Sequence, residues 1–481
     1  MAKHNSMSIV GREEAKERIK RKLGTPKSDL VAVIGRRRIG KTYLIKQVLE
    51  KEIIFHFSGL FKGSMPEHLE RFGQALNEAQ GNNNPITPPL SWFEAFDRLR
   101  TYISSKRSKK KKVIFLDEFP WMATNRSRFL TAFTDFWNSY ADNRTDLMVI
   151  ICGSSASWMI NKVLKNKGGL HNRVTERIIL EPFTLGETKQ LLKKNGVIIP
   201  DIEIITLYMA IGGVPYYIDQ MQKGESTTQF IDRTCFRKNG VLRLEYDELF
   251  ASLFDNSDKH HRVIEQLAAH PKGLTRIRLL QLAQLNSGGG ATTILHELQT
   301  SGFIEEYIPY GKKKKDSLFK LKDHYVHFYL KYVKGSKAGQ KNVWTKISNS
   351  PSFQSWSGLA FEQICHEHID KIKEALKIEG ILSTHGAWHT KGNDTISGAQ
   401  IDLLIDRSDN IINLCEIKYS SSLYTITKDY AKAIRHKMAA FNYTTKNKKG
   451  LFPTMITSYG LSDNMHAQDL VQQSVTADQL F

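Results

Sequence analysis

Apolar residues in the first 182 positions form short continuous runs that alternate with stretches of helical periodicity. The stretches 42–51 and 92–103 repeat apolar residues every three to four positions. The continuous runs, rich in Val, Ile and Leu, occupy residues 30–34, 53–57, 113–116, 147–152 and 177–180. Buried parallel strands have continuous apolar runs, and helices connect them. The pattern predicts a parallel β-sheet with helices on both faces.

The pattern changes further along the chain. Residues 186–253 have helical spacing only, and residues 258–333 contain three helical stretches followed by two β-like runs. Three helices and a two-stranded hairpin are the layout of a winged helix-turn-helix. Residues 334–350 are polar and predict a linker or a segment that lies over a neighbouring domain. We therefore predict four domains, at residues 1–185, 186–255, 256–335 and 336–481.

The charge balance indicates a class of partner. The chain has 69 Lys and Arg residues against 49 Asp and Glu residues, which gives a net charge of +20. Such a charge favours a polyanion, above all nucleic acid, with an anionic membrane surface as the alternative. No run reaches the roughly 18 apolar residues of a spanning helix, and no apolar signal segment is visible. We expect a cytoplasmic protein without a membrane partner, whose four separated cysteines are reduced thiols.

A glycine-rich turn directly follows the first apolar run and opens a helix. It reads Gly35-x4-Gly40-Lys41-Thr42. The backbone N–H groups of such a turn, together with the helix N-terminus, bind phosphates. We expect Lys41 to contact the β- and γ-phosphates of ATP and Thr42 to ligate Mg²⁺. The expected nucleotide contacts of this segment are Gly35, Arg38, Gly40, Lys41, Thr42 and Tyr43.

Two carboxylates follow the third apolar run. VIFLDEF places Asp117 and Glu118 at the end of a buried strand, where charges are hard to explain as core residues. We expect Asp117 to lie in the outer coordination sphere of the Mg²⁺ ion. Glu118 is the candidate that orients or deprotonates the attacking water. Ser154, which follows the next strand, is placed to sense the γ-phosphate.

These segments resemble AAA+-related ATPases of the STAND type, specifically an archaeal-type group that is also found in bacteria. The resemblance is carried by IVGREEAKERI, GRRRIGKT, FLDEFPWM, GSSASWM and GGVPYYI. It implies that Gly11 and Arg12 approach the adenine and that Pro215, in a helical lid, lies against the base. It also implies an arginine finger that acts across a homo-oligomer interface, with Arg173 as the first candidate and Arg177 as the second.

A second group of carboxylates lies on a predicted β-hairpin near the C-terminus. If a three-residue loop joins the strands, antiparallel pairing sets Leu404 opposite Leu414 and Asp402 opposite Glu416. Glu416 and Lys418 then share a face with Asp402. Opposed buried carboxylates are costly unless a cation bridges them. Oxygen ligands favour Mg²⁺ or Mn²⁺ as that cation.

The spacing Asp402-x13-Glu416-x-Lys418 resembles the PD-(D/E)XK motif of restriction-endonuclease-like folds. The resemblance implies that Glu362, on an upstream helix, is a further metal ligand. Lys418 would orient the water or stabilise the charge of the phosphorane. This second site therefore predicts DNA cleavage that depends on Mg²⁺ or Mn²⁺.

Basic residues lie on both elements with which a winged helix reads DNA. Two arginines are on the predicted second helix and four lysines are in the hairpin loop. Such residues are expected to contact the phosphates of duplex or branched DNA, and a solvated charge run is the alternative. The expected contacts are Arg276, Arg278, Lys312, Lys313, Lys314 and Lys315.

The predicted fold class is multidomain α/β. It combines a P-loop AAA+-like parallel sheet with a helical lid, a winged helix and a C-terminal restriction-endonuclease-like α/β domain. The expected function is an ATP-dependent or ATP-regulated DNA-binding ATPase with a metal-dependent nuclease. Two alternatives stay open. One is a STAND-like regulatory or signalling ATPase whose C-terminal domain binds nucleic acid without cutting. The other is a motor that remodels DNA and uses the nuclease fold as a clamp.

Overall fold

The computed structural model describes residues 9–82, 87–108, 110–165, 170, 172–254 and 256–481. The chain divides into two compact units. The first comprises residues 1–182 and 249–255, and the second comprises residues 183–248 and 256–481. None of the helices described is both long enough and apolar enough to cross a membrane.

A five-stranded parallel sheet forms the centre of the first unit. Its strands are β1 (Asp29–Ile34), β2 (Ile53–Ser58), β3 (Lys112–Asp117), β4 (Leu147–Gly153) and β5 (Glu176–Ile179). Their order in the sheet is β2-β3-β4-β1-β5, and every neighbouring pair is parallel. Strands β1, β3 and β4 are buried along their whole length, as continuous apolar runs require. The predicted parallel sheet is confirmed, and the carboxyl ends of its strands meet at one edge.

Helices cover both faces of this sheet. Alternate residues of β1 point to opposite faces, so Leu30 and Ala32 belong to one core and Val31 and Val33 to another. Helices α3, α4 and α6 contribute to the first core, and α1 and α2 contribute to the second. The helices are α1 (Glu13–Leu23), α2 (Lys41–Leu49), α3 (Met65–Gln80), α4 (Trp92–Ser105), α5 (Phe119–Met122), α6 (Phe129–Phe136) and α7 (Ala156–Trp158).

The second unit begins with helices, as the sequence predicts. These are α8 (Leu185–Lys194), α9 (Asp201–Ile211), α10 (Pro215–Ile218), α11 (Thr227–Ile231) and α12 (Val241–Leu253), whose last five residues are counted with the first unit. The turn before α10 requires glycine, because a Cβ atom on Gly213 would lie 1.8 Å from the carbonyl oxygen of Phe183. The Phe183 N–H donates to the Gly213 carbonyl oxygen at 2.6 Å. The GGVP segment therefore fixes the close passage of two backbone segments.

Three helices and a small antiparallel sheet follow. The elements are α13 (Asp258–Ala269), β6 (Leu274–Thr275), α14 (Arg276–Leu282), α15 (Gly289–Thr300), β7 (Ile304–Tyr307) and β8 (Leu318–Leu321). The sheet has the order β6-β8-β7, so it contains a strand that the predicted two-stranded hairpin lacks. Leu274 and Thr275 form this additional strand and directly precede the second helix. The Thr275 hydroxyl accepts the N–H of Arg278, and this N-cap makes the helix begin at Arg276.

A second five-stranded sheet, of mixed direction, occupies the C-terminal part. The helices are α16 (His324–Phe328), α17 (Val343–Ser348), α18 (Pro351–Glu367), α19 (Ile369–Ala375), α20 (Lys428–Thr445) and α21 (Met465–Leu470). The strands are β9 (Ser383–Gly392), β10 (Ser397–Arg407), β11 (Ile411–Lys418), β12 (Gly450–Thr457) and β13 (Gln473–Thr476). Their order is β13-β12-β11-β10-β9. The pairs β9–β10 and β10–β11 are antiparallel, whereas β11–β12 and β12–β13 are parallel.

The polar segment 334–350 lies over its neighbours and is not a free linker. Its helix α17 buries Trp344. The Trp344 ring lies 5.1 Å from the ring of Phe328 and 5.3 Å from that of Phe353. The buried Trp344 ring is thus one anchor of a segment that has few aliphatic residues, and hydrogen bonds from Arg243 to Ser336 are another.

Candidate functional site

The turn between β1 and α2 closes around the ammonium group of Lys41. Lys41 Nζ donates to the carbonyl oxygens of Gly35, at 2.9 Å, and Arg36, at 3.0 Å. Gly40 adopts a left-handed conformation with φ 85°. A Cβ atom on Gly35 would lie 2.6 Å from the Leu180 carbonyl oxygen, so this glycine is also required by its surroundings. The lysine is therefore held at the N-terminus of α2, where phosphates bind.

Thr42 and Asp117 meet beside this turn. Thr42 Oγ1 donates to Asp117 Oδ2 at 2.8 Å. Asp117 Oδ1 accepts the N–H of Glu118 at 3.0 Å and the thiol of Cys152 at an S–O distance of 2.7 Å. A hydroxyl and a carboxylate in contact at a phosphate-binding turn are the donors that hold Mg²⁺ with a nucleotide. These residues fit the expected ion.

Cys152 is a partner of the site that sequence reasoning missed. Burial and then the charge of Asp117 raise the pKa of the Cys152 thiol, so the thiol stays a neutral donor. The register of the sheet could have revealed the contact. Leu116 pairs with Ile151 in the parallel ladder, so the next residues, Asp117 and Cys152, emerge side by side.

Glu118 is held in place by Ser154. Its backbone has φ 45°, a left-handed conformation that non-glycine residues seldom adopt and that occurs at functional sites. Glu118 Oε2 accepts the Ser154 N–H at 3.1 Å and the Ser154 hydroxyl at 2.8 Å. Ser154, expected to sense the γ-phosphate, therefore positions the carboxylate in this structure. Both residues lie at the carboxyl ends of neighbouring strands, β3 and β4.

The remaining predicted nucleotide contacts lie in two places. Arg12 Nη2 donates to the Ile39 carbonyl oxygen at 3.3 Å, and Gly11 and Arg12 both have φ 62°, so the N-terminal element reaches the glycine-rich turn. Arg38, with φ 70°, belongs to that turn, and Tyr43 is half-exposed on α2. Pro215 begins α10 in the second unit.

Arg173 lies near the amino-terminal end of β1, whereas the glycine-rich turn follows the carboxyl end of that strand. Its Nη1 atom pairs with Asp142 Oδ2 at 2.8 Å. The nearby Thr175 hydroxyl donates to Asp29 Oδ1 at 2.8 Å, and Asp29 is the first residue of β1. Because β1 has six residues, about 17 Å separates its two ends. Arg173 therefore cannot reach the turn of its own chain, and its role as a finger stays a hypothesis that requires a second subunit. Arg177 is exposed on β5.

The carboxylate hairpin has the predicted register. Leu404 pairs with Leu414, and Leu403 pairs with Cys415, so Asp402 and Glu416 are the next pair along the ladder. Glu416 has a side chain that is 1 % exposed. Glu362 lies on α18, as expected. The predicted register of the hairpin and the predicted position of Glu362 on a helix are therefore confirmed.

Two residues of α20 hold the buried carboxylate of Glu416. Lys437 Nζ lies 2.7 Å from both Oε atoms, and the Tyr430 hydroxyl donates to Oε2 at 2.7 Å. Lys418 Nζ is farther away, at 3.9 Å from Oε2. Asp402 Oδ2 accepts the backbone N–H of Ile417 at 3.0 Å. We call Asp402, Glu416, Lys418, Lys437 and Tyr430 the carboxylate centre.

The carboxyl groups are close enough to affect one another. Burial and then the charge of Asp402 raise the pKa of Glu362 to about 7. The same two causes raise the pKa of Glu416, and Lys437 acts in the opposite direction. Like charges are thus collected in a poorly solvated place.

The centre does not fit a divalent metal ion in this arrangement. No group of three or more His, Cys, Asp or Glu side chains suited to a metal occurs within the described residues, so metal binding by Glu362, Asp402 and Glu416 stays a prediction without support from this geometry. The ammonium of Lys437 contacts both oxygens of Glu416, where the prediction placed a metal ion. Sequence reasoning missed Lys437 and Tyr430. Their separation of seven positions, which places both on one helix face, was the available signal.

The loop between β7 and β8, residues 308–317, is attached to the C-terminal sheet. We call it the wing. The Tyr310 N–H donates to the Ala387 carbonyl oxygen of β9 at 2.9 Å. The Tyr310 hydroxyl donates to Asp406 Oδ2 at 2.7 Å, and its ring lies 5.8 Å from that of Phe441. The root of the wing is therefore fixed by three contacts.

Lysines from separate segments gather around His389. Burial, followed by the charges of Lys312, Lys272, Lys320 and Lys391, lowers the pKa of His389. We call these four lysines the basic surface. Lys312 belongs to the wing, as predicted, whereas the other three were missed because they come together only in the fold. The predicted residues Lys313, Lys314 and Lys315 are exposed next to this surface.

The two predicted arginines of α14 contact neighbouring polar side chains. Arg276 Nη2 donates to the Thr292 hydroxyl of α15 at 3.0 Å. Arg278 Nη1 donates to Gln281 Oε1 at 2.9 Å. Both bonds are exposed, so a phosphate could replace the present acceptors. The role of these arginines stays a prediction.

Comparison with known proteins identifies two regions. Residues 9–221 match the family model of an ATPase domain found predominantly in Archaea. Residues 325–434 match a family of archaeal and bacterial proteins of unknown function. An uncharacterised protein of Methanocaldococcus jannaschii is 25% identical over 416 residues, which cover 85% of this chain and 87% of the relative.

Solved structures are similar to this chain to a lower degree. A Walker-type ATPase of Pyrococcus abyssi is 17% identical with a TM-score of 0.49, and the match covers 67% of this chain and 96% of that one. The ORC2 protein of Aeropyrum pernix, solved as ADPNP–ADP complexes, is 15% identical with a TM-score of 0.40, covering 72% and 96%. TM-scores below 0.5 do not establish a shared fold.

The family match and the geometry of the turn agree on the first part of the chain. Residues 9–221 match an ATPase-type domain, and the parallel sheet in this part of the chain carries the P-loop. The family matched by the C-terminal part has no known function, so the resemblance of that part to nucleases gains no support from the comparison.

Proposed function

We propose that this chain is an ATP-hydrolysing switch that binds DNA and does not cut it. ATP hydrolysis is supported by a network of contacts at the carboxyl ends of the strands of the first sheet. Thr42 meets Asp117 at 2.8 Å, and Ser154 fixes Glu118 at 2.8 Å. A metal-binding pair and a positioned carboxylate thus lie on neighbouring elements at the P-loop.

The residues have separate tasks in hydrolysis. Lys41 exchanges the carbonyl oxygens of Gly35 and Arg36 for phosphate oxygens, which are better acceptors because they are charged. Thr42 and Asp117 would hold Mg²⁺, and the ion would neutralise charge on the phosphates. Glu118 orients the attacking water and accepts its proton. If Arg173 is an arginine finger, it acts on the nucleotide of a second subunit, so this part of the proposal requires a homo-oligomer.

DNA binding is supported by charge and by shape. The chain has a net charge of +20, and four of its lysines converge on His389. Three helices followed by a β-hairpin are the elements of a winged helix, in which the wing contacts the sugar–phosphate backbone. The basic surface extends from this wing to β9, so it offers phosphates a longer track than the wing alone. We infer that the duplex lies along this track.

Neutralising three exposed lysines of the basic surface tests the DNA proposal. The triple variant Lys272→Gln, Lys312→Gln, Lys391→Gln is expected to weaken binding to all sequences alike. It should also reduce the slope of log affinity against log salt by about 0.9 for each lost contact, or about 2.7 in total. Fluorescence anisotropy with a labelled duplex over a salt series measures both effects.

A matched control removes the same charge elsewhere in the second unit. Lys193, Lys223 and Lys238 are exposed residues of the helical segments, and their replacement by Gln should leave the slope near that of the wild type. If both triple variants reduce the slope equally, net charge alone drives binding and the proposed track is wrong.

Metal-dependent DNA cleavage is the second candidate function. Asp402 and Glu416 occupy the cross-strand positions next to the Leu403–Cys415 pair of the hairpin, and burial together with the charge of Asp402 raises the pKa of a third carboxyl group, that of Glu362, to about 7. This collection of acids favours a nuclease. The pairing of Lys437 with Glu416 opposes it, because a metal would have to compete with the ammonium at both oxygens of Glu416.

Incubation with DNA decides between the two functions. We expect the wild-type protein to leave supercoiled, linear, single-stranded and branched DNA intact in Mg²⁺ or Mn²⁺, with or without ATP. Gel electrophoresis gives the result directly. Cleavage by the wild type that is lost in Asp402→Ala would replace the non-cutting proposal with the nuclease.

A further inference from the structure

We propose that the ammonium group of Lys437 is the resident cation of the carboxylate centre and excludes divalent metal ions from it. The sequence indicated that a cation must bridge the acids of the hairpin, and the structure assigns that place to a side chain. The inference concerns the centre that the proposed function treats as non-cutting. It requires neither DNA nor ATP, so it can fail independently of that function.

The position of Lys437 is set by the helix that carries it. Around Lys437, helix α20 packs Ala440 and Phe441 into one core of the C-terminal sheet and Ala431 and Ile434 into another. Lys437 lies between these anchors, with a side chain that is 20% exposed. Since the helix is packed against the cores on both sides of Lys437, an ordered helix and not a mobile surface segment positions the ammonium beside the acids.

The oxygens of Glu416 already have protein donors. Both accept from Lys437 at 2.7 Å, and Oε2 also accepts the hydroxyl of Tyr430 at 2.7 Å. A divalent ion would have to replace charge-assisted hydrogen bonds that are short and well formed. Displacing the lysine would also leave an ammonium without its partner in a place that is largely removed from water, which is unfavourable.

The charges of the centre balance without a metal. Asp402 and Glu416 contribute two negative charges, and Lys437 and Lys418 contribute two positive ones, with Lys418 at 3.9 Å from Glu416. The third acid, Glu362, has a pKa raised to about 7 by burial and by the charge of Asp402, so it contributes less negative charge at neutral pH than an ordinary carboxyl group. A bound Mg²⁺ or Mn²⁺ would change this sum from zero to +2. A metal is attracted to a site with excess negative charge, and the four groups leave no such excess.

Manganese binding to the full-length protein without nucleotide tests the inference. Mn²⁺ is titrated into the wild type, Lys437→Met and the double variant Lys437→Met, Asp402→Asn, and free Mn²⁺ is measured by electron paramagnetic resonance. The wild type is expected to show no site that depends on Asp402. Lys437→Met should gain one, with at least tenfold higher affinity than any wild-type binding, and the double variant should lose it.

Lys432→Met is the matched control, because this lysine lies on the same helix with a side chain that is 67% exposed. It is expected to bind Mn²⁺ as the wild type does. Thermal unfolding gives a second readout. Mn²⁺ should raise the Tm of Lys437→Met, whose buried Glu416 has lost its cation, and should leave the Tm of the wild type and of Lys432→Met unchanged.

Two results would overturn the inference. The first is an Asp402-dependent Mn²⁺ site in the wild type with the affinity found for Lys437→Met. The second is a folded Lys437→Met protein that gains no site. If Lys437→Met does not fold, the comparison of wild type with Asp402→Asn still decides, because a Mn²⁺ site that only the wild type has contradicts the exclusion of metal.

Discussion

Glu118→Gln is expected to bind ATP as the wild type does and to hydrolyse it about 10²–10⁴-fold more slowly, the range that a positioned general base contributes. The amide oxygen of glutamine can still accept from the Ser154 N–H and hydroxyl, which now hold the carboxylate at 3.1 and 2.8 Å. The side chain therefore keeps its place and loses only its negative charge and basicity. Isothermal titration calorimetry gives the ATP affinity, and phosphate release gives the turnover.

The control for this substitution is Glu50→Gln at the exposed C-terminal end of α2. It makes the same chemical change away from the strand ends and should leave turnover unchanged. Wild-type turnover in Glu118→Gln would mean that another group activates the water. Loss of ATP binding in that variant would show instead that Glu118 supports the fold of the site.

Lys41→Ala is expected to reduce ATP affinity by about 100-fold or more. The ammonium makes two contacts in the closed turn, with Gly35 at 2.9 Å and Arg36 at 3.0 Å, and phosphates would replace both acceptors. Hydrogen bonds of a charged group contribute roughly 1.5–3 kcal/mol each, and about 1.4 kcal/mol corresponds to a factor of ten. Calorimetry with ATP·Mg²⁺ measures the loss.

Lys46→Ala provides the comparison, since Lys46 is an exposed lysine one turn further along α2. Both variants should have nearly the wild-type Tm in the absence of nucleotide, because the carbonyl oxygens released by Lys41→Ala can be hydrated. An unchanged ATP affinity in Lys41→Ala would refute the assignment of the nucleotide site to this turn.

The sheet of the first unit was predictable because its signal is local. The central strands β1, β3 and β4 contain continuous apolar runs and are buried along their whole length, as the centre of a parallel sheet requires. The contacts of Asp117 and Glu118 were only partly predictable. Their position at a strand end follows from the sequence, but the donors Cys152 and Ser154 belong to another strand, and only the strand order makes β3 and β4 neighbours.

The C-terminal hairpin illustrates the same limit. Its register followed from the loop length, and the pairing of Leu404 with Leu414 confirms it. The alternating pattern of a hairpin contains no information about a helix that begins ten residues later. The lysine of that helix was therefore not considered, and a metal was the expected cation of the centre. Lys437 reaches Glu416 across 21 positions of sequence. The strand β6 was missed for a different reason, since two residues are too few for any periodicity.

The attachment of the wing to β9 also protects the protein from self-association. A strand at the edge of a sheet presents unpaired N–H and C=O groups with which another chain can pair. Strand β9 is such an edge, and the N–H of Tyr310 occupies the Ala387 carbonyl in its middle, while Lys391 places a charge near its end. The opposite edge, β13, has only four residues. Deleting the wing would therefore open an edge strand and favour aggregation, whereas replacing its lysines removes charge and leaves the cover in place.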